Sequence, residues 1–231
     1  MSGRSPRWFT GIKYPYEANF ADNTWEQIIA ACQKKRIPST WKVADQKAMT
    51  INGTYYLIDI IGFDHDEYTD GSGKAPITFQ MHDCYGTKYA MNAGNTTVGG
   101  WTSCAMRSTH LPAILNQMPT EVQNGIREVN KLTSAGNQSA TINTTADKLF
   151  LLSEIEIFGS VSDSMSGEGT QYDYYKTGGS TVKKLNGSAS DCWERSPCAR
   201  NFARFCRVIS NGSAGSSNAR FARGVAFGFC F

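Results

Sequence analysis

Apolar residues recur along this chain at several distinct spacings, and each spacing predicts a different element. Trp25, Ile28, Ile29 and Cys32 fall three and four residues apart, which places them on one face of an α-helix. Asn23-Thr24-Trp25-Glu26 reads as its capping box, with Asn23 accepting an amide and Glu26 reaching back, and Pro38 closes the element. Residues 54–62, TYYLIDIIG, form a dense β-branched and aromatic run that predicts a buried strand. Residues 76–83, PITFQMHD, alternate apolar with polar and predict its partner. The acidic connection DHDEYTDGSG is then a long hairpin loop with a solvated tip. A helix broken at Pro112 is expected around 103–118. After Pro119, Thr120 and Gln123 suggest a second capping box, and Val122, Ile126, Val129 and Leu132 continue one apolar stripe. Residues 146–158, ADKLFLLSEIEIF, fit helix and strand equally, because the apolar run is short and dense. The closing GVAFGFCF sets Val225, Phe227, Phe229 and Phe231 against the small Ala226, Gly228 and Cys230, the pattern of a central strand with one bulky face.

Between 159 and 190 the chain is rich in Gly, Ser, Thr and Tyr. Three Tyr there need somewhere to pack, so this reads as loop with short strands rather than flexible linker. No internal repeat and no domain boundary interrupts the 231 residues. Helices first and a loop-rich β half after them predict one α+β domain over 1–231. Within it, residues 1–40 form an extension carrying a helix, and 191–231 form a distinct terminal region.

Composition excludes several classes. No apolar run is long enough to cross a bilayer, and MSGRSPRWFTGIKYPYE has no apolar h-region, so neither membrane insertion nor a Sec leader is expected. Seven Cys cannot all pair within one chain, and no C-x-x-C occurs. Free thiols in a reducing cytosol are the expectation, with no zinc site and no cofactor. Asp64, Asp66, Glu67 and Asp70 resemble a calcium loop only loosely, since Tyr68 breaks the EF-hand pattern and no Glu closes it.

Charge divides the chain unevenly. Residues 1–194 carry 17 Lys+Arg against all 20 Asp+Glu, whereas residues 195–231 carry six Arg and no acid. That tail also lacks Lys, Glu, Gln, Met and Trp altogether. At the rate of the preceding residues about eight of these would be expected. A nucleic-acid reading fits poorly: Arg223–Cys230 matches the RNP1 octet at Arg223, Gly224, Ala226 and Phe227 but fails at Val225, Gly228 and Cys230.

A family resemblance accounts better for the tail. Gly62-Phe63-Asp64-His65-Asp66, Ile77-Thr78-Phe79, Gly100-Trp101, Met106-Arg107 and Asp147-Lys148-Leu149-Phe150-Leu151-Leu152-Ser153-Glu154 carry it. So do Trp193-Glu194-Arg195-Ser196-Pro197 and the closing Gly224-Val225-Ala226-Phe227-Gly228-Phe229-Cys230. Over roughly residues 40–231 the chain resembles the C-type-lectin-like domains of gut bacteria and their phages, including variable proteins of diversity-generating retroelements. The resemblance implies a C-type-lectin-like fold, of the formylglycine-generating-enzyme type, with helices on a small antiparallel sheet and long loops. It also gives the restricted alphabet a cause. In such systems adenines of AAC and AAT codons are mutated, which reaches every amino acid except Lys, Glu, Gln, Met and Trp.

The resemblance makes Phe205, Cys206, Val208, Gly212, Ala214, Ala219 and 224–231 framework. It leaves Cys198, Ala199, Arg200, Asn201, Phe202, Ala203, Arg204, Arg207, Ser210, Ser216, Ser217, Asn218, Arg220, Phe221 and Arg223 as ligand contacts, together with Asp191 and Cys192. Five Arg and two Phe in one patch favour an acidic partner, a protein or glycan receptor. No P-loop, G-x-S-x-G or HExxH occurs. Cys198 and Cys206 do not have the spacing of the oxidase cysteine pair, so no enzyme activity and no catalytic residue is expected. The functional expectation is a non-enzymatic, hypervariable receptor-binding protein on a phage tail fibre, a baseplate tip or a host cell surface. The alternative is an undiversified lectin-like virion component used for assembly.

Overall fold

Helix α1 (Trp25–Gln33) packs Trp25, Ile28, Ile29 and Cys32 into the interior, as the spacing predicts. The structure, a computed structural model, describes residues 16–231. The leader-free reading of the amino terminus and the first part of the extension lie outside those residues. The cap of α1 is one residue later than expected. The Thr24 hydroxyl accepts the Gln27 amide at 3.2 Å, and the Gln27 side chain accepts the Thr24 amide at 2.8 Å. Asn23 is instead buried, donating to the carbonyls of Glu17, Asn19 and Phe20.

The central antiparallel sheet runs in the order β1 (Gln46–Ile51), β2 (Thr54–Phe63), β3 (Ile77–Met81), β11 (Gly228–Cys230). β11 pairs Phe229 with Phe79, and its other edge exchanges backbone hydrogen bonds with Phe150 and receives the Arg127 amide. It is therefore held on both sides, though by irregular backbone on one of them. Phe79, Phe229 and Phe231 pack against Trp25 to form the aromatic centre of the core.

The acidic β2–β3 connection has the expected exposed tip over residues 69–72, but its base turns inward. Asp66 and Tyr68 are buried. The Asp66 carboxylate accepts from Lys131 Nζ at 2.7 Å, Thr78 Oγ1 at 2.6 Å and the Tyr172 hydroxyl. Lys131 is itself buried, so it pulls the loop inward as a counter-charge.

Pro112 does not break a helix. Met106–His110 forms a π-helical turn, and Pro112 lies in the first turn of the next helix (Leu111–Leu115), where its missing amide is harmless. With α2 (Gly100–Ser103) before the π-turn, this helix is α3. The stripe from Val122 to Leu132 also divides. Helix α4 (Thr120–Gly125) has no side-chain cap, because the Gln123 amide donates to Asn116 and Met118 carbonyls. Gly125 lets α4 lie against α1, since a Cβ there would meet Ile29 Cδ1 at 2.7 Å. Val129 and Leu132 belong to strand β4 (Val129–Ser134), paired with β5 (Ile142–Asp147).

The ambiguous 146–158 stretch resolves into the end of β5 and helix α5 (Glu154–Phe158), opened by a Ser153–Glu156 capping box. In the Gly- and Tyr-rich stretch lie α6 (Asp173–Lys176), β6 (Lys183–Leu185) and β7 (Ser188–Ser190), with Tyr172, Tyr174 and Tyr175 buried. The tail forms a second sheet from β8 (Cys192–Pro197), β9 (Arg204–Val208) and β10 (Ala214–Asn218), in the order β10-β9-β8. The architecture is α+β with small antiparallel sheets.

Candidate functional site

β8 is the root of the tail and is buried along its whole length. Arg195 fixes it. Its guanidinium donates to both Glu156 oxygens, at 2.5 and 2.8 Å, and to the carbonyls of Leu132, Leu151 and Glu168. Lys131 Nζ lies 2.7 Å from Glu156 as well as from Asp66. Burial raises the Asp66 and Glu156 carboxyls, but Lys131 and Arg195 outweigh it and hold both below the ordinary carboxylate value. The neighbouring Glu168 is pushed up to about 7 by burial. Glu194 is raised well above its ordinary value by burial and by Glu154, and neither of its oxygens has a hydrogen-bond partner.

From this root the chain makes three surface segments. In the turn 198–203 the Cys198 amide donates to the Arg204 carbonyl, and the Phe202 carbonyl accepts from the Thr97 amide at 2.7 Å and its hydroxyl at 2.8 Å. Arg200 donates to the Ser162 carbonyl at 2.7 Å. The β9–β10 ribbon follows, and then the return 219–227, where Arg220 receives support from the Asn95 side chain and Tyr89 exchanges backbone hydrogen bonds with Arg223.

Burial divides the tail, with the expected framework residues Gly212 and Ala214 only partly buried. Phe205, Cys206, Val208, Ala219 and 224–231 are buried. Arg200, Phe202, Arg204, Arg220 and Phe221 are exposed, and Asp191, Ala199, Asn201, Ala203, Arg207, Ser210, Ser216, Asn218 and Arg223 are partly so. Cys192, Cys198 and Ser217 are a correction. All three are buried and present no contact surface, because β8 and its neighbours close over them.

The arginines do not form one patch. Directly opposed residues of a strand pair share a face, and successive residues alternate. Arg204 opposes Asn218 and Arg207 opposes Gly215, so the two guanidiniums project from opposite faces of the ribbon. Arg204 Nε donates to Asn218 Oδ1 at 3.2 Å. On the other face Asp191 bridges two arginines, ion-paired with Arg207 and 3.4 Å from Arg223 Nε, while it accepts the Ser210 amide at 3.0 Å. The Arg220 and Arg223 guanidiniums each lie 5.5 Å from the Phe221 ring centre.

Two loops outside the tail complete the surface. Val98, 65% exposed, lies beside the Thr97 that holds Phe202, itself 58% exposed. Val161, 42% exposed, adjoins the Ser162 that holds Arg200. Sequence spacing carries no signal for these residues, because they reach the tail from about 40 and 105 positions away. Burial among Glu194, Glu154 and Glu168 raises the Cys206 thiol well above its ordinary value, which keeps it protonated and poorly nucleophilic. Among the described residues no three His, Cys, Asp or Glu side chains group as a metal ligand set.

No curated protein and no solved structure matches the chain. A family model does match, over residues 78–230, which runs from β3 through every segment of this surface to the end of β11. The chain belongs to the family described as Domain of unknown function (DUF6273).

Proposed function

We propose that the chain is a non-enzymatic binding protein with a C-type-lectin-like fold, displaying a diversified surface formed by residues 191–223. One observation carries the reading. In a tail lacking Lys, Glu, Gln, Met and Trp, the exposed side chains Arg200, Phe202, Arg204, Arg220 and Phe221 are interspersed with framework residues that are mostly buried. Exchanging such side chains removes little buried area, so many draws are compatible with one fold. Arginine is reachable by adenine mutation and its charge is not matched by any acid after Glu194. This draw therefore favours a carboxylate-bearing protein or glycan receptor, met from a phage tip or a cell surface.

The deciding experiment is to sequence the locus that encodes the chain. The expected result is a near-copy of the 191–223 coding segment, beside a reverse transcriptase gene, differing from it only at adenines. A locus without that repeat overturns diversification and leaves a fixed lectin-like virion component. A companion measurement is glycan and cell-surface binding by the wild-type chain and by an Arg200→Ala/Arg204→Ala/Arg220→Ala chain. Equal binding by both overturns the assignment of the surface.

A further inference from the structure

Cys84 and Cys192 face each other where three backbone segments meet, and we propose that they are a cross-linking site that closes to a disulfide when the folded chain meets a hydroperoxide. Cys84 follows β3, and its amide donates to the Lys184 carbonyl at 2.8 Å. Cys192 opens β8 and bridges Gly224, whose amide donates to the Asp191 carbonyl and whose carbonyl accepts the Trp193 amide. On the far side of this segment the Val225 carbonyl accepts the Tyr85 amide. Gly224 is what allows the two sulfurs to approach. A Cβ there would sit 2.4 Å from Cys84 Sγ and 2.9 Å from the Asp191 carbonyl, so only glycine leaves room for the thiol to cross toward Cys192. The parallel bridge sets Cys192 and Gly224 side by side, and the Cys84 sulfur occupies the space a Gly224 side chain would take, so the two cysteines are neighbours.

The surroundings divide the roles. The neighbouring Cys192 and the Lys183 ammonium lower the Cys84 thiol against the raising effect of burial, while Cys192 is pushed up. Cys84 is thus the attacking sulfur. Its thiolate attacks one peroxide oxygen as the O–O bond breaks, and the departing hydroxide takes up the proton the thiol released, giving a sulfenic acid and water. Cys192 sulfur then attacks that sulfur, loses its proton, and a second water leaves. Two thiols and one peroxide yield one disulfide and two waters. The bond ties the root of the tail to the end of β3, directly behind Asp191. It is independent of whether the tail is diversified.

The test uses the full chain, treated with hydrogen peroxide under native conditions, then denatured and alkylated. The reduced chain takes seven alkyl groups, one per cysteine. The oxidised chain is expected to take five, and trypsin to release residues 75–88 joined to residues 185–195, separable by dithiothreitol. In Cys84→Ser all remaining thiols are expected to stay alkylatable as a cross-link fails to form. Seven alkylated cysteines after peroxide, or a disulfide joining any other pair, overturns the proposal. Because the peptide map is made on the wild-type chain, the result stands whether or not the variant folds.

Discussion

Arg195 and Lys131 are the residues on which the interior depends most directly. Both are buried, and both share Glu156 as counter-charge. Removing one member of such a network leaves the others charged and unpaired in a medium that solvates them poorly. Glu156→Gln is therefore expected to destabilise the chain by about 3–5 kcal/mol, read from urea unfolding at neutral pH. Glu168 behaves in the opposite way. Its carboxyl is raised from 4.5 to about 7 in the folded chain. A raised carboxyl contributes its stability fully below the unfolded value, and that stability is lost as pH climbs through the folded value. Unfolding free energy should accordingly fall between pH 4.5 and 7, by about 3 kcal/mol from this residue if the shift is fully expressed. Glu168→Gln should make the decline shallower without abolishing it, since Glu194 is shifted in the same direction. Asp66 and Glu156 are lowered, so their contribution is lost on the acid side and that limb should persist in Glu168→Gln. Urea midpoints of both chains across this range provide the check, and an unchanged slope would show that Glu168 is ionised as readily folded as unfolded.

At the scale of elements, the β9–β10 ribbon separates buried side chains from exposed ones. Phe205 is wholly buried, whereas Arg204 beside it is exposed and bonded only to Asn218 and the backbone. Phe205→Ala should cost about 3–5 kcal/mol, and Arg204→Ala no more than about 0.5 kcal/mol, both measured by chemical unfolding. The same contrast explains which elements were legible in the sequence. Helix α1 and strands β2 and β3 announce themselves through local spacing, whereas of the closing GVAFGFCF only Gly228–Cys230 is strand, last in the sheet order and buried on both faces. The cap of α1 was misplaced by one residue because Asn23 is claimed by backbone several positions upstream. The burial of Asp66 within its loop is not legible because its partners, Lys131 and Tyr172, are 65 and 106 positions away. The stripe through Val122, Ile126, Val129 and Leu132 suits a helix, yet pairing with β5 wins from Val129 onward. The contact surface divides in the same manner. Alternation within the tail separates framework from exposed side chains, but the opposed faces of Arg204 and Arg207 depend on strand register. The supporting loops at Val98 and Val161 depend on contacts no local pattern encodes.

For the whole molecule, the charge division acquires a structural meaning. The acidic body is the part with fixed internal pairing, in which Asp66, Lys131, Glu156 and Arg195 neutralise one another inside the core. Of the six tail arginines, Arg195 belongs to that core, Arg207 and Arg223 share Asp191, and Arg200, Arg204 and Arg220 face solvent. The exposed basic character of the tail thus comes from side chains that touch the core least. If they serve recognition alone, they can be replaced together. A chain carrying Arg200→Ser, Phe202→Ser, Arg204→Ser, Arg220→Ser and Phe221→Ser should fold with the circular dichroism of the parent and lose no more than about 2.5 kcal/mol, the sum of five surface substitutions. Its net charge drops by three, so its retention on a cation exchanger should fall while its unfolding stays cooperative. A much larger loss would mean that these residues hold the turns at 198–203 and 219–223 in place. The tail would then be a structural cap on the core, and exchange of its side chains could not be its function.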